Sequence, residues 1–575
     1  MYYLITMEVS YNTHFPHLHN NFNVHSFIRE QFVFFYFNLT RKNDIFSDTS
    51  RNFYDKFVNV LQIIKKNIHE KNDLSLFYHY LKLFYKLIPY TRDIYSGKGE
   101  RDLSYLLILA LYQVYPSLAL FAIHNIIVID HSTGNTKIKP YGSWKDIQYL
   151  CDFIYNFTDM KYKNDNSHAI IDYCVEIMTN QLIQDFKTWN FSNNPHNINY
   201  ISNVAAWIPR ENKKFSWLFD KLSYSWTLKT HPHIFKFAEF YDSKEKAIRK
   251  SKRLFRKQFS YLNKQLNTIE INLSKKKYDN IGICEIKKDS FTKYFDLYFK
   301  NIQHFHNINN NCYKKYKGSL TPFSFLIKKT IELDDYKDDI SFTSKKLYIN
   351  NTWKQYIKLF SLHSMHYTIP IIDVSFFMQQ NNMDAFYSAI GTSIIIASYT
   401  KIENRVIAMS NQPIWIKWNK DDLFTDIIHN FMNSIFPVQN TANDIYSSIQ
   451  YIIEGIRGSH SSQNFTDNLN IVILSDFINN SHLVDIQQIF FDNNFTVSPF
   501  IFYWNFSTTY IIDNLLVDNK KIRHLSGYSI YTIYDLIDII NKQKSTTFTS
   551  FSCAANSIDK ERYVLFSHYI SKFIS

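Results

Sequence analysis

Asp373, Ser375 and Asp476 have the types and spacing needed to bind a hard divalent cation. Asp373 ends the apolar run "TIPIID", and Ser375 follows two positions later, so both side chains point the same way in an extended loop. Asp476 ends a second apolar run, "NIVILSD". Carboxylate and hydroxyl oxygens are the ligands that Mg²⁺ prefers, together with bound waters. The pattern predicts a magnesium site at the ends of two buried strands.

Phe377 weakens this site, because it stands where a second hydroxyl ligand would be needed. Its apolar ring removes one direct ligand, so we expect Mg²⁺ to bind weakly or not at all, with a water in the missing position. The alternative needs no metal. In that case Asp373 caps the helix that begins near Asp384, or it accepts hydrogen bonds from loop amides.

A basic segment is a candidate site of another kind, one for phosphate. The apolar residues of "KEKAIRKSKRLFRKQFSYLNKQL", Lys244 to Leu266, have helical spacing. The predicted apolar stripe consists of Ile248, Phe255, Phe259, Leu262 and Leu266. The basic residues on the other sides are Lys246, Arg249, Lys250, Arg253, Lys257 and Lys264. Such a helix docks by its stripe and offers nucleic-acid phosphates a basic face. The alternative is an ordinary solvated lysine face.

The segment "RDIYSGKGERD" contains two further arginines, Arg92 and Arg101. Its glycines suggest a phosphate-binding loop, but the G-x-x-x-x-G-K-[ST] pattern is absent and a helix precedes the segment instead of a strand. The spacing favours a turn between two helices, with Glu100, Arg101 and Asp102 at the start of the second. Both arginines stay candidates for phosphate contact.

A second short segment, "YGSWKDI", predicts the start of another helix. Ser143 is the predicted cap, and Asp146 occupies the capping-box position three residues later. Trp144 is predicted to be buried against a neighbouring helix, with base stacking as the alternative.

The elements that must position these residues change along the chain. From Phe53 to about Phe360 apolar residues recur at spacings of three and four, which predicts a succession of helices in an irregular solenoid or bundle. After Tyr367 short β-branched or aromatic runs alternate with amphipathic helices, which predicts a helix-covered parallel sheet. Ligands of such sheets bind beyond the carboxyl ends of the strands, where Asp373 and Asp476 are expected. The predicted fold class is therefore multidomain, α plus α/β.

Composition narrows the functional classes. The 575 residues have a formal net charge of +13, which is compatible with an anionic partner such as nucleic acid. No run approaches the roughly 20 apolar residues of a membrane span, and the five cysteines include no C-x-x-C pair, so we expect a cytoplasmic protein. The 21 histidines form no H-E-x-x-H set and no G-x-S-x-G follows a strand, so we expect no enzymatic activity.

Several sequence motifs carry a resemblance that extends from about Phe53 to the C-terminus. They are "RDIYSGKGERD", "YGSWKDI", "VAAWIPRE", "DVSFFM", "ILSDF", "FIFYWN" and "LSGYS". In this order they resemble a poorly characterised family of plants and large DNA viruses that joins a helical region to a C-terminal von Willebrand factor A-like domain. The architecture is also similar to that of the Ro (TROVE) RNA-binding proteins, in which a helical-repeat ring carries such a domain.

The resemblance implies a metal-ion-dependent adhesion site. Asp373 and Ser375 match its first loop, Thr441 in "QNTAND" fits its threonine loop, and Asp476 fits its last loop. Phe377 departs from the motif, so the implied site is degenerate. The likeness to Ro proteins implies RNA binding through the helical region.

These observations predict three segments and two functions of different classes. Residues 1–52 are an extension without an assignment, residues 53–366 form an α-helical repeat-like domain, and residues 367–575 form the von Willebrand factor A-like domain. We expect a non-enzymatic protein that binds RNA or another nucleic acid through its helical part. The alternative is a protein-interaction scaffold that captures a partner through the degenerate metal site. If the protein is viral, we expect it in the host cytoplasm or the virion.

Overall fold

The fold is taken from a computed structural model that describes most of the chain. The described residues are 23–127, 140–159, 168–191, 201–240, 243–266, 268–278, 281, 288–301, 321–333, 341–361, 365–402, 404–437, 444–458, 463–476, 478, 480–510, 519–542 and 549–574. Within these ranges no helix is both long enough and apolar enough to cross a membrane.

Helices alone form the chain up to residue 361 in its described part. Their bounds are α1 Val24–Phe37, α2 Asp48–His69, α3 Leu74–Arg92, α4 Arg101–Val114, α5 Pro116–Ile127, α6 Trp144–Phe157, α7 Ala169–Phe191, α8 Ser216–Thr230, α9 His233–Phe240, α10 Lys244–Leu266, α11 Ile269–Ser274, α12 Lys288–Lys293, α13 Phe295–Asn301, α14 Phe323–Glu332 and α15 Phe342–Phe360. A short 3₁₀ helix, Val204–Trp207, lies between α7 and α8. Helix α1 falls inside the extension that had no assignment.

Strands and helices alternate in the rest of the chain. The strands are β1 Tyr367–Asp373, β2 Arg405–Met409, β3 Ile414–Lys417, β4 Leu469–Ser475, β5 Phe500–Asn505 and β6 Ile522–Ser526. The helices are α16 Phe376–Asn381, α17 Met383–Tyr399, α18 Phe424–Ile435, α19 Ile445–Gly458, α20 Asn480–Asp492, α21 Thr532–Lys542, α22 Ser550–Ile558 and α23 Val564–Ile574. The predicted fold class, α plus α/β, is therefore confirmed at this level.

The six strands form one sheet in the order β3-β2-β1-β4-β5-β6. All neighbours are parallel except β2 and β3, which pair antiparallel as the short gap between them requires. The chain leaves β1 toward β2 on one side and later returns to β4 on the other side. In open sheets of this kind, ligands bind at the carboxyl ends of the two strands beside such a change of direction, here β1 and β4.

Hydrophobic cores do not follow the boundary predicted at residue 366/367. One core unites α1 to α8 and α10 with apolar residues of α22 and α23, including Ala554 and Phe566. A second core joins α12 to α15 to one face of the sheet and to α17, α18 and α21. The other face of the sheet packs against α19 and α20. Helices α22 and α23 are therefore part of the first core, and the helices that share this core are called the first helical body below.

Several elements of the C-terminal half were not predicted from sequence. The run "IRHLS" of β6 contains Arg523 and His524, which look like surface residues, yet both are buried. The guanidinium of Arg523 donates to the backbone carbonyls of residues 519, 520 and 522 through its two Nη atoms. The run "IYTIYDLIDIIN" predicts a final helix and forms α21, but that prediction is wrong about its place, because α22 and α23 follow it.

Candidate functional site

Helix α10, the predicted phosphate-binding helix, lies flat on the first helical body. Its buried residues are Ala247, Ser251, Phe255 and Leu262, spaced four or seven apart, so they form one face. The Phe255 ring lies 5.5 Å from the ring of Phe219 in α8. The Ser251 hydroxyl donates to the Ser223 carbonyl at 3.0 Å. Contacts along the whole helix therefore fix which side faces outward.

The predicted apolar stripe is correct except at its start. Phe255 and Leu262 are buried, and Phe259 and Leu266 pack against the same core. Ile248 is 45% exposed, so its assignment to the buried stripe was wrong. The first turn of α10 packs against the short helix α9, where the neighbouring Ala247 makes the buried contact.

Three basic residues of α10 pair with acids. Lys252 is 2.6 Å from Asp220, and Arg256 is 3.0 Å from Glu211. Arg249, a predicted phosphate contact, pairs with Glu245 within the helix at 2.9 Å. The first two pairs tie α10 to the segment around α8.

A row of other basic residues lies on the opposite side of α10. All are exposed, and within the described part of the chain none has an ion pair. This row, called the basic stripe below, consists of Lys246, Lys250, Arg253, Lys257 and Lys264. At about 100° per residue, the five side chains fall within a sector of about 60° centred opposite the buried face. The stripe extends over about 27 Å at 1.5 Å per residue.

Arg92 does not join this stripe. Its guanidinium donates two hydrogen bonds to Asp146 of α6, at 2.6 and 2.8 Å, and Arg92 is only 9% exposed. Asp146 also accepts from Tyr105 and from the Ser143 amide, which completes the predicted capping box. The geometry gives Arg92 a structural role, namely to join the motifs "RDIYSGKGERD" and "YGSWKDI".

Burial alone would raise the pKa of the Asp146 carboxyl. The charge of Arg92 and hydrogen bonds from Arg92, Tyr105 and Ser143 more than offset burial, so the pKa lies below its ordinary value.

The glycine turn before α4 also has the predicted form. A Cβ on Gly97 would lie 2.0 Å from the Tyr90 carbonyl oxygen, and Gly99 has φ +74°.

Arg101 belongs to a second basic cluster that sequence inspection missed. Its guanidinium carbon lies 4.1 Å from the ring centroid of Tyr149, and it pairs with Asp102 at 2.9 Å. The Lys145 ammonium lies 5.7 Å from the same ring and 5.6 Å from the ring of Trp207. Residues from three separate motifs therefore meet in one place.

The carboxyl ends of β1 and β4 bring Asp373 next to Ser475. The Ser475 hydroxyl donates to Asp373 Oδ2 at 2.7 Å, and the Ser375 amide donates to Oδ1 at 2.9 Å. Asp373 is 1% exposed. The Ser375 hydroxyl accepts from the Met378 amide as the cap of α16. Asp373 thus accepts a loop amide, as the alternative without metal predicted, but Asn382 caps the helix near Asp384 instead.

Each oxygen of Asp373 accepts a hydrogen bond. Within the described residues no group of three or more His, Cys, Asp or Glu side chains could hold a metal ion, but the predicted site consists of two aspartates and hydroxyls and is not such a group. Asp476 and Asp373 both act on Tyr503, since burial and the charges of the two carboxylates raise the pKa of that residue. Thr441 and the Phe377 side chain lie outside the described part. Magnesium binding stays a prediction.

We expect millimolar Mg²⁺ to leave the melting temperature of the protein unchanged at matched ionic strength. The physical reason is that Asp373 is 1% exposed and already has hydrogen bonds from Ser375 and Ser475, and that Phe377 replaces a hydroxyl ligand. Thermal unfolding with MgCl₂ and with EDTA checks this. An increase in melting temperature with Mg²⁺ that disappears in the Asp373→Asn variant would contradict it and would establish a functional metal loop.

Sequence inspection also missed Tyr261 and Trp189, which meet beside the basic stripe. The Trp189 indole donates to the Tyr261 hydroxyl at 2.7 Å. Tyr261 could have been found, because it is one helical turn from both Lys257 and Lys264. Trp189 could not, because it is 72 residues away in α7.

In comparisons with known proteins, the chain matches no protein-family model and no curated protein is significantly similar to it.

Proposed function

We propose that this chain is a non-enzymatic nucleic-acid-binding protein and that the basic stripe of α10 is its contact surface. The C-terminal α/β part is proposed to be a von Willebrand factor A-like interaction module. One observation carries the proposal. Among the described residues, Arg249, Lys252 and Arg256 of α10 pair with acids, whereas the five exposed members of the basic stripe, on the side away from the buried face, have no ion pair.

Repulsion among the like charges of the basic stripe is the physical reason why it favours a polyanionic ligand. Five cations on one side of a helix repel each other, and pairs at spacings of three and four destabilise the helix slightly. Phosphates relieve this repulsion and release condensed counterions when they bind. Lys250 and Arg253 are three positions apart, and Arg253 and Lys257 are four apart. The net charge of +13 adds long-range attraction for a polyanion.

A salt titration of binding tests the proposal. We expect labelled RNA or DNA oligonucleotides to bind with an affinity that falls steeply as salt rises and that does not change with EDTA. Reversing three charges of the stripe, with Lys250→Glu, Arg253→Glu and Lys257→Glu together, should lower affinity by about two orders of magnitude. It should also reduce the slope of log affinity against log salt by about two to three. Fluorescence anisotropy measures both quantities.

The matched control reverses three exposed lysines elsewhere. Lys354→Glu and Lys358→Glu in α15, combined with Lys420→Glu, change the net charge by the same amount. We expect this variant to bind nearly as well as the wild type. Equal losses in both triple variants would show that only net charge matters, which contradicts a defined contact surface.

The absence of binding in every condition would refute the proposal and favour the protein scaffold. Two exposed apolar side chains are then the first candidates for a surface that binds a partner protein. Phe376 and Met383, which flank the loop after β1, are 50% and 47% exposed. Exposed apolar side chains at the carboxyl edge of a sheet suit a protein partner.

A further inference from the structure

Tyr261 presents an aromatic ring at the edge of the basic stripe. It is 41% exposed, although most of the described tyrosines are partly or fully buried. On the helical wheel it is adjacent to Lys250 and Lys257, about 50° from the centre of the stripe. A cationic row with an aromatic ring beside it is the combination that binds both the backbone and the bases of a nucleic acid.

The Tyr261 ring is held in place from two sides. Its hydroxyl accepts the hydrogen bond from the Trp189 indole, and the two rings are 6.3 Å apart at an interplanar angle of 71°. The Phe186 ring lies 6.5 Å away, also edge-on at 71°. Helix α7 therefore fixes the orientation of Tyr261 before any ligand arrives. Less side-chain entropy is lost when a base stacks on a ring that is already ordered.

The attachment of α10 argues against insertion into a duplex groove. A helix that reads the major groove of DNA enters it with much of its circumference free, because the groove is only about 12 Å wide. Helix α10 contacts α8, α9 and the 3₁₀ helix Val204–Trp207, and one of its faces is buried along its length, from Ala247 to Leu262. The major groove of duplex RNA is narrower still and does not admit side chains. Only the outward side of α10 can contact a ligand, and a flexible strand can follow that side.

We propose that the ligand of α10 is a single-stranded nucleic acid, with its phosphates along the basic stripe and one base stacked on Tyr261. This inference rests on the proposed function and adds the class of ligand. The flexible backbone places successive phosphates near successive cations, from Lys246 at one end to Lys264 at the other. The base near Lys257 and Lys264 then turns toward the Tyr261 ring. Stacking is tolerant of sequence, because every base has a π face.

The test compares a labelled single strand of about twelve nucleotides with the same sequence as a duplex, a length within the range of single-strand sites. Wild-type protein should bind the single strand at least about tenfold more tightly. Tyr261→Ala should weaken single-strand binding about 5- to 150-fold, which is the range found for loss of one stacked base. Duplex binding should not change. Tyr261→Phe, which keeps the ring and loses the Trp189 hydrogen bond, should retain most of the affinity.

The control variant is Tyr446→Ala in α19. Tyr446 is half-buried and donates a hydrogen bond to Asp485, so the substitution removes a comparable tyrosine far along the chain. It should leave both affinities unchanged. Ultraviolet cross-linking followed by mass spectrometry is the second measurement, and it should place the attached nucleotide on Tyr261.

The outcomes separate this inference from the proposed function. If the triple charge reversal abolishes binding but Tyr261→Ala has no effect, or if the duplex binds as tightly as the single strand, the inference is refuted and the proposed function stands. If no probe binds, both are refuted. A preference for single strands that depends on the ring at position 261 supports both.

Discussion

Replacing Arg92 with alanine is expected to lower the free energy of unfolding by about 3–5 kcal/mol, because it leaves a buried carboxylate without its cation. Asp146 is 1% exposed and accepts both guanidinium hydrogen bonds of Arg92. Lysine should not rescue the loss, because a single ammonium cannot make the bidentate contact. Urea unfolding followed by circular dichroism measures the change.

The control for this prediction is Arg101→Ala. Arg101 also pairs with an aspartate, but the two side chains are 34% and 47% exposed, and such pairs contribute less than about 1 kcal/mol. A loss for Arg92→Ala no larger than that for Arg101→Ala would show that the buried pair does not hold α3 and α6 together.

The same pair predicts how stability depends on pH. The folded state lowers the pKa of Asp146, so its contribution is present above the ordinary carboxyl pKa and is lost as pH falls through the lower folded value. Wild-type stability should therefore decline below about pH 4 more steeply than that of the Asp146→Asn variant, in which position 146 no longer titrates. Parallel slopes in the two proteins would contradict this assignment.

The second large effect concerns the attachment of the C-terminal helices. Asp93 is fully buried at the end of α3 and accepts hydrogen bonds from Arg562 and Tyr563, which precede α23. Arg562 also lies over the rings of Tyr95 and Tyr141, at 5.5 and 5.1 Å. We expect Asp93→Ala to cost about 3–5 kcal/mol, because it leaves the arginine buried without its partner.

A double-mutant cycle makes this prediction specific. The double variant Asp93→Ala, Arg562→Ala should be less destabilised than the sum of the single variants, because the second change removes the group that the first left unpaired. Arg51→Ala, which breaks a surface pair with Asp159, should cost less than about 1 kcal/mol. Additive losses at positions 93 and 562 would mean that the two residues act independently.

Local patterns were enough to predict most of the elements. Helical periodicity found the helices of the first half, and runs such as "NIVILSD" and "FIFYWN" became the central strands β4 and β5. Capping signals were equally informative, since Ser143 and Asp146 start α6 as expected. These features depend on neighbours within four residues or on burial of a short run. That information is contained in the sequence itself.

The outward face of α10 was also determined by sequence, because helical periodicity places Lys250, Arg253 and Lys257 opposite the apolar stripe. Which of its basic residues lack ion pairs was decided by the tertiary structure. Asp220 and Glu211, which pair with Lys252 and Arg256, lie dozens of residues earlier in the chain. Charge pairing across such distances has no local signal.

Tertiary structure likewise decided the roles of Arg92 and Tyr261. Asp146, which buries Arg92, is 54 residues away, and Trp189, which orders Tyr261, is 72 residues away. The strand β6 was missed for the same reason, because only the fold supplies backbone carbonyls for a buried Arg523. The sequence thus determined the helices, most of the strands and the basic face of α10. The fold alone decided which charges are neutralised inside the molecule, because a charge is buried or exposed according to its partners across the chain.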